Sequence, residues 1–111
     1  MKINITSENG TAVAVLNGEI DHHSARSLRS EIDRFVITMQ PERLAMDFTG
    51  ITFMDSSGIA LILNVNKRLG NIGGRLRVEG GTKQPMKVIK ASGIDRIISI
   101  KEHMEDLYEN K

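Results

Sequence analysis

The chain of 111 residues has no cysteine and no tryptophan, only two prolines, and a charge balance that leans to neither sign. Without cysteine it can form no disulfide, offer no thiolate nucleophile and hold no metal through sulfur, and it suits a reducing compartment. No stretch approaches the roughly eighteen apolar residues of a membrane span. The N-terminus lacks the basic and apolar regions of a signal peptide, so a soluble cytoplasmic protein with no membrane partner is expected. Fifteen basic against fourteen acidic residues leave a net charge of +1, and no basic run interleaved with aromatics marks a nucleic-acid surface. Repeats and low-complexity tracts are missing too. The length suits one domain spanning 1–111 with a modest core.

What is present reads as strands alternating with helices. Lys2 to Thr6 and Thr11 to Leu16, continued by Ile20, form a hairpin about a Glu8-Asn9-Gly10 turn. Ser24 to Met39 spaces Ala25, Leu28, Ile32, Phe35, Val36 and Met39 by three and four, a helix with Ser24 as its cap and Pro41 closing it. Arg43 to Phe48 alternates Leu44, Met46 and Phe48 as a strand that Thr49-Gly50 interrupts. Ile59 to Leu69 is a helix stopped by glycine, with Asp55 or Ser56 at its N-cap. Arg75 to Val78 is a short strand, Gly80-Gly81 its turn, and Pro85 opens a helix running to Ala91 with Gly93 as its stop. Ile97 to Ile100 is a last strand, and Lys101 to Tyr108 a final helix carrying Met104 and Leu107. The expected fold is therefore α/β, a mixed sheet of four or five strands with about four helices.

Chemistry is sought at Phe53-Met54-Asp55-Ser56-Ser57-Gly58, where a strand ends in two adjacent hydroxyls before an apolar helix. On a wheel of about 100° per residue, Ile59, Ile62, Val65, Asn66 and Leu69 share the face that rests on the sheet. Ser57, Ala60, Leu61, Asn64 and Arg68 fall opposite, and Ser56 points to the flank of Leu63 and Lys67. Of the two serines, Ser57 is thus expected to be the one another protein can reach. A bare helix cap explains the same residues, since Asp55 and the serines would satisfy amides that have no partner inside the helix. Asp21 has the same two readings, cap or contact.

Other chemistries fit poorly. Adjacent His22 and His23 cannot face one metal from regular structure, and His103 is distant. Asp47 ends a strand, but the early acidic pair and late lysine of a phosphoaspartate receiver are not evident. Ser57 lacks the preceding glycine of a nucleophile elbow, and Gly70, Gly73 and Gly74 lack the lysine and hydroxyl of a phosphate loop. Asn66, on the apolar face, calls for backbone partners. No enzyme, metal or cofactor is expected.

Gly18-Glu19-Ile20-Asp21-His22-His23-Ser24, Met54-Asp55-Ser56-Ser57-Gly58, Gly73-Gly74, and Ala91-Ser92-Gly93-Ile94 with the Ile97-Ile98 pair resemble the anti-sigma factor antagonists, the bacterial STAS domains. The Asp-His-His-Ser loop is most similar to the sporulation-type antagonist of the forespore anti-sigma factor. The resemblance implies that the Asp21 loop lies beside the start of the Ser57 helix. It also implies that Ser57 is phosphorylated by an anti-sigma factor that is itself a serine kinase, supplying the ATP and magnesium, and that a serine phosphatase resets it. The contact surface it implies, together with the wheel, takes in Asp21, His22, Met54, Asp55, Ser56, Gly58, Leu61, Asn64 and Arg68, on a chain that is monomeric when free. The competing reading is a free-standing STAS module of a stress-signalling scaffold or a transporter-associated complex.

Overall fold

The computed structural model of the protein describes residues 2–101. β1 (Lys2–Glu8) and β2 (Thr11–Ile20) pair antiparallel through a turn in which Asn9 and Gly10 both take positive φ, 55° and 82°. That is the turn an Asn-Gly pair favours, because its twist matches that of the strands. Then come α1 (His22–Met39), β3 (Arg43–Met54), α2 (Ser56–Asn71), β4 (Arg75–Glu79), α3 (Lys83–Ser92), a 3-10 turn at Ile94–Arg96 and β5 (Ser99–Lys101).

The sheet order is β1-β2-β3-β4-β5, parallel everywhere except the first pair. Three successive crossovers therefore step in one lateral direction, and right-handed connections put all their helices on one face. The core agrees. Ala12, Ala14 and Leu16 of β2, Leu44, Met46 and Phe48 of β3 and Val78 of β4 form a single cluster with Leu28 and Ile32 of α1, Ile62 and Val65 of α2 and Ile89 of α3. The predicted spacings of Leu44, Met46 and Phe48, and of Leu28, Ile32 and Val36, are the ones buried.

Several boundaries differ from expectation. Thr49-Gly50 does not end β3, which runs on to Met54. A Cβ at Gly50 would overlap the Asn17 carboxamide and the Leu16 carbonyl, so this glycine permits a close approach of β2 where the register shifts. α1 starts before Ser24. Asp21 is its N-cap and Ser24 stands three positions in, closing a reciprocal box: the Ser24 amide donates to Asp21 Oδ1 (2.9 Å) and the Asp21 amide to Ser24 Oγ (3.0 Å). Gln40, in the left-handed conformation, ends α1 before Pro41.

α3 keeps its expected signals, with Pro85 in the first turn and Gly93 at the C-cap with φ of 82°. The last strand is Ser99–Lys101 and not Ile97–Ile100, because the amides of Ile97 and Ile98 are both spent on the Ile94 carbonyl. Lys101 ends β5. The rest of the helix expected to reach Tyr108 lies outside the described residues, which hold three α-helices and one 3-10 turn.

Candidate functional site

The strands β2 and β3 finish side by side, the Asp55 amide donating to the Ile20 carbonyl at 3.1 Å. Each strand passes at once into a helix, so the starts of α1 and α2 are neighbours at the same edge of the sheet, and Asp21 is brought beside the Ser57 segment. Both helices open on an aspartate whose carboxylate takes up amides that no turn of helix can satisfy. Asp55 Oδ1 accepts the Ser57 amide at 2.8 Å. The Asp21 carboxyl is held below its ordinary value, chiefly by the Ser24 amide, against a smaller opposing effect of desolvation.

A third element fixes this edge. β4 pairs with β3 only as far as Asp47 opposite Glu79, which leaves the last turns of β3 without a strand on that side. The start of α3 substitutes for one. Thr82 Oγ1 donates to the Ile51 carbonyl (2.8 Å), while Gln84 accepts the Met54 amide on Oε1 (2.8 Å) and donates from Nε2 to the Met54 carbonyl (3.0 Å). Sequence reasoning missed both residues. A polar pair ahead of Pro85 reads only as a helix start, and nothing local says that it faces a strand thirty residues earlier.

The expected surface divides in three. Asp21, His22 and Ser56 are exposed, with Asp55 half-buried beside them. Met54, Gly58 and Leu61 are corrections: all three are buried. A Cβ on Gly58 would overlap the Met54 side chain, so these two residues seat the first turn of α2 on the sheet and offer no side chain to a partner. Asn64 and Arg68 are half-buried against α1, where Asn64 Nδ2 donates to Asp33 Oδ1 (3.4 Å) and Arg68 Nη2 lies 3.5 Å from Asp33 Oδ2.

The serines correct the wheel as well. Ser56 is exposed with Leu63 and Lys67, whereas Ser57 is half-buried. A wheel assumes one buried side. α2 packs against both the sheet and α1, and its buried sector, Gly58, Leu61, Ile62, Val65 and Leu69, is turned toward α1. Ile59 and Asn66, expected on the sheet-facing side, are half-buried.

Ser57 lines a shallow groove of about 180 Å³ between the two helices, with Ala60 and Leu61 on its own wall and His22, Ala25, Arg26 and Arg29 opposite. No hydrogen bond among the described residues engages its hydroxyl. A larger cavity, about 320 Å³, lies between Arg43, Arg75 and Ser99. Arg43 and Arg75 begin their strands, so it sits at the opposite edge of the sheet and holds none of the predicted residues. Among the described residues no helix is long and apolar enough to cross a membrane.

The sequence model of the STAS domain family matches residues 2–107. An anti-sigma F factor antagonist of Paenibacillus polymyxa is 28% identical over 100 residues, covering 90% of this chain and 86% of the relative. One of Lysinibacillus sphaericus is 31% identical over 84 residues, covering 76% and 72%. Among solved structures, the anti-sigma factor antagonist SpoIIAA in its unphosphorylated form is similar with a TM-score of 0.78 and 26% identity, over 89% of this chain and 87% of that one. The Bacillus cell fate determinant SpoIIAA in its phosphorylated form gives a TM-score of 0.69 at 26% identity, over 89% and 90%.

Proposed function

The chain belongs to the STAS domain family, and on that premise we propose that it is an anti-sigma factor antagonist switched by phosphate on Ser57. The observation that carries the reading is the Met54-Asp55-Ser56-Ser57-Gly58 start of α2. There Ser57 lines a groove with a hydroxyl that takes part in no hydrogen bond among the described residues, next to the exposed loop at Asp21. The names of the relatives support the same function. Ser56 is the more exposed serine, so the choice of Ser57 rests on the motif and the groove and no longer on exposure.

In this reading the unphosphorylated protein docks the α1 and α2 starts on an anti-sigma factor and frees the sigma factor. The anti-sigma factor, a serine kinase carrying magnesium and ATP, then transfers a phosphoryl group. Ser57 Oγ bonds to the γ-phosphorus, the bond to the bridging oxygen breaks, ADP leaves, and the hydroxyl proton passes to a base of the kinase. The protein itself supplies no cofactor. Phosphate brings roughly −1.5 to −2 charges to one point of the docking surface, while the α2 N-terminus stabilises it within the chain by only about 0.3 to 1 kcal/mol. Phosphorylation therefore disturbs the complex more than the fold. A serine phosphatase restores the binding form.

Incubation with the cognate kinase, magnesium and ATP, followed by phosphopeptide mass spectrometry, is expected to place the label on Ser57. Label on Ser56, or label persisting in Ser57→Ala, overturns the assignment. Co-purification with an ATP-binding kinase supports the antagonist; recovery instead with a large scaffold or a permease favours a STAS module of another assembly.

A further inference from the structure

The groove that Ser57 lines carries two arginines on its far wall. α1 and α2 each lead back from the end of one parallel strand to the start of the next, so they run parallel to each other. Neighbouring parallel helices rise at the same rate per residue and hold a constant offset along their contact. That offset is fixed lower down, where Asn64 bonds Asp33 thirty-one positions earlier. Carried up to the helix starts, it sets Ser57 against Arg26, and the groove is indeed lined by Ser57 on one wall and by His22, Arg26 and Arg29 on the other.

The charges there are unevenly committed. Arg26 is exposed and makes no ion pair among the described residues. Arg29 reaches Asp33 through Nε at 3.8 Å, and its terminal nitrogens make no hydrogen bond or ion pair among the described residues. Of the acids at this edge, Asp55 accepts from the Ser57 amide and Asp21 from the Ser24 amide, while Glu19 is exposed near the end of β2. Guanidinium matches phosphate in shape and charge, and arginine-to-phosphate bonds are about twice as strong as neutral ones.

We infer that the groove between α1 and α2 is a built-in receptor for the phosphate of phospho-Ser57, with Arg26 as its principal donor and Arg29 and His22 beside it. The inference rests on Ser57 being the modified residue. It changes how the switch works. Phosphorylation fills the groove and withdraws Arg26 from the docking surface, so release of the partner comes from a surface that closes on itself and not from the added charge alone.

The test needs no kinase. Phosphoserine is inserted at position 57 during translation, in the wild-type chain, in Arg26→Ala and in Arg26→Lys, and each protein is titrated by phosphorus NMR. In the wild type the second phosphate ionisation is expected about one unit below that in Arg26→Ala, the lower end of the effect of an opposite charge at contact, with Arg26→Lys between. Phosphorylation is also expected to raise the melting temperature of the wild type more than that of Arg26→Ala. Coincident titrations in wild type and Arg26→Ala overturn the receptor. Because the phosphoserine is installed genetically, failure of a kinase to label Ser57 would sink the proposed function and leave this measurement readable.

Discussion

Asp21 and Asp55 perform the same backbone task at adjacent helix starts, and at Asp21 the bond from the Ser24 amide holds the carboxyl below its ordinary value. A carboxylate whose folded value is depressed stabilises the fold fully above its unfolded value, near 3.9, and loses that contribution as pH falls through the folded value. Asparagine can cap a helix but does not titrate. Urea melts are therefore expected to show Asp21→Asn less stable than wild type by a constant margin from pH 7 to about pH 5, and by a shrinking margin below about pH 4. A margin indifferent to pH would remove the carboxylate from the stability of α1. Ser57→Asp places a carboxylate at the second residue of α2, where the helix dipole favours it by about 0.3 to 1 kcal/mol. Its circular dichroism and melt are expected to match or slightly exceed wild type, while calorimetry shows weaker binding to the kinase. Equal affinity would refute the docking surface. At this scale the sequence was readable for residues with strong local rules, such as Asp55 at a cap, Gly93 at a stop and Asn9-Gly10 at a turn. It failed for Leu61 and Met54, whose burial depends on what lies across from them.

Elements depend on contacts that no window of sequence contains. β3 reads as ending at Thr49-Gly50, yet it continues because Asn17 and Gly18 shift the register beside it and α3 borders its far half. Gln84→Ala removes the side-chain partners of the Met54 amide and the Met54 carbonyl, and leaving such groups without partners costs about 1 to 3 kcal/mol. Met54 directly precedes the Asp55 cap, so the loss should also be felt at the start of α2. Faster amide exchange at Met54 and Ser57 is expected, with the α1 cap unaffected; unchanged exchange at Met54 would mean that Gln84 is incidental. The wheel for α2 misplaced Leu61 and Ser57 for a similar reason. Periodicity says how much of a helix is buried, but a helix lodged between a sheet and another helix is buried in two directions.

The whole molecule was the most legible level. Strands and helices alternate after an opening hairpin, and with right-handed crossovers that order permits little else than a sheet with its helices on one face. Phe48 stands in the central strand and is fully buried. Phe48→Ala is expected to cost about 3 to 5 kcal/mol, a large part of the 5 to 15 that holds a domain together. Ile97 is 68% exposed, and Ile97→Ala should fall within about 0.5 kcal/mol of wild type. Denaturant midpoints for the two variants check the pair, and similar losses would mean that the core does not centre on β3. The side-by-side placement of Asp21 and Ser57 was not legible from composition or period, because it arises from two strands ending level with each other, and only the family resemblance anticipated it.

The polar lodgement of α3 on β3 has one more effect. A strand border with free amides and carbonyls invites a strand from another molecule to add to it. Beyond Asp47 the β4 side of β3 would be such a border, and Thr82 and Gln84 occupy the groups it would offer. The side chains that steady the start of α2 thus also close this stretch of β3 to an incoming strand, beside the surface built from helix starts.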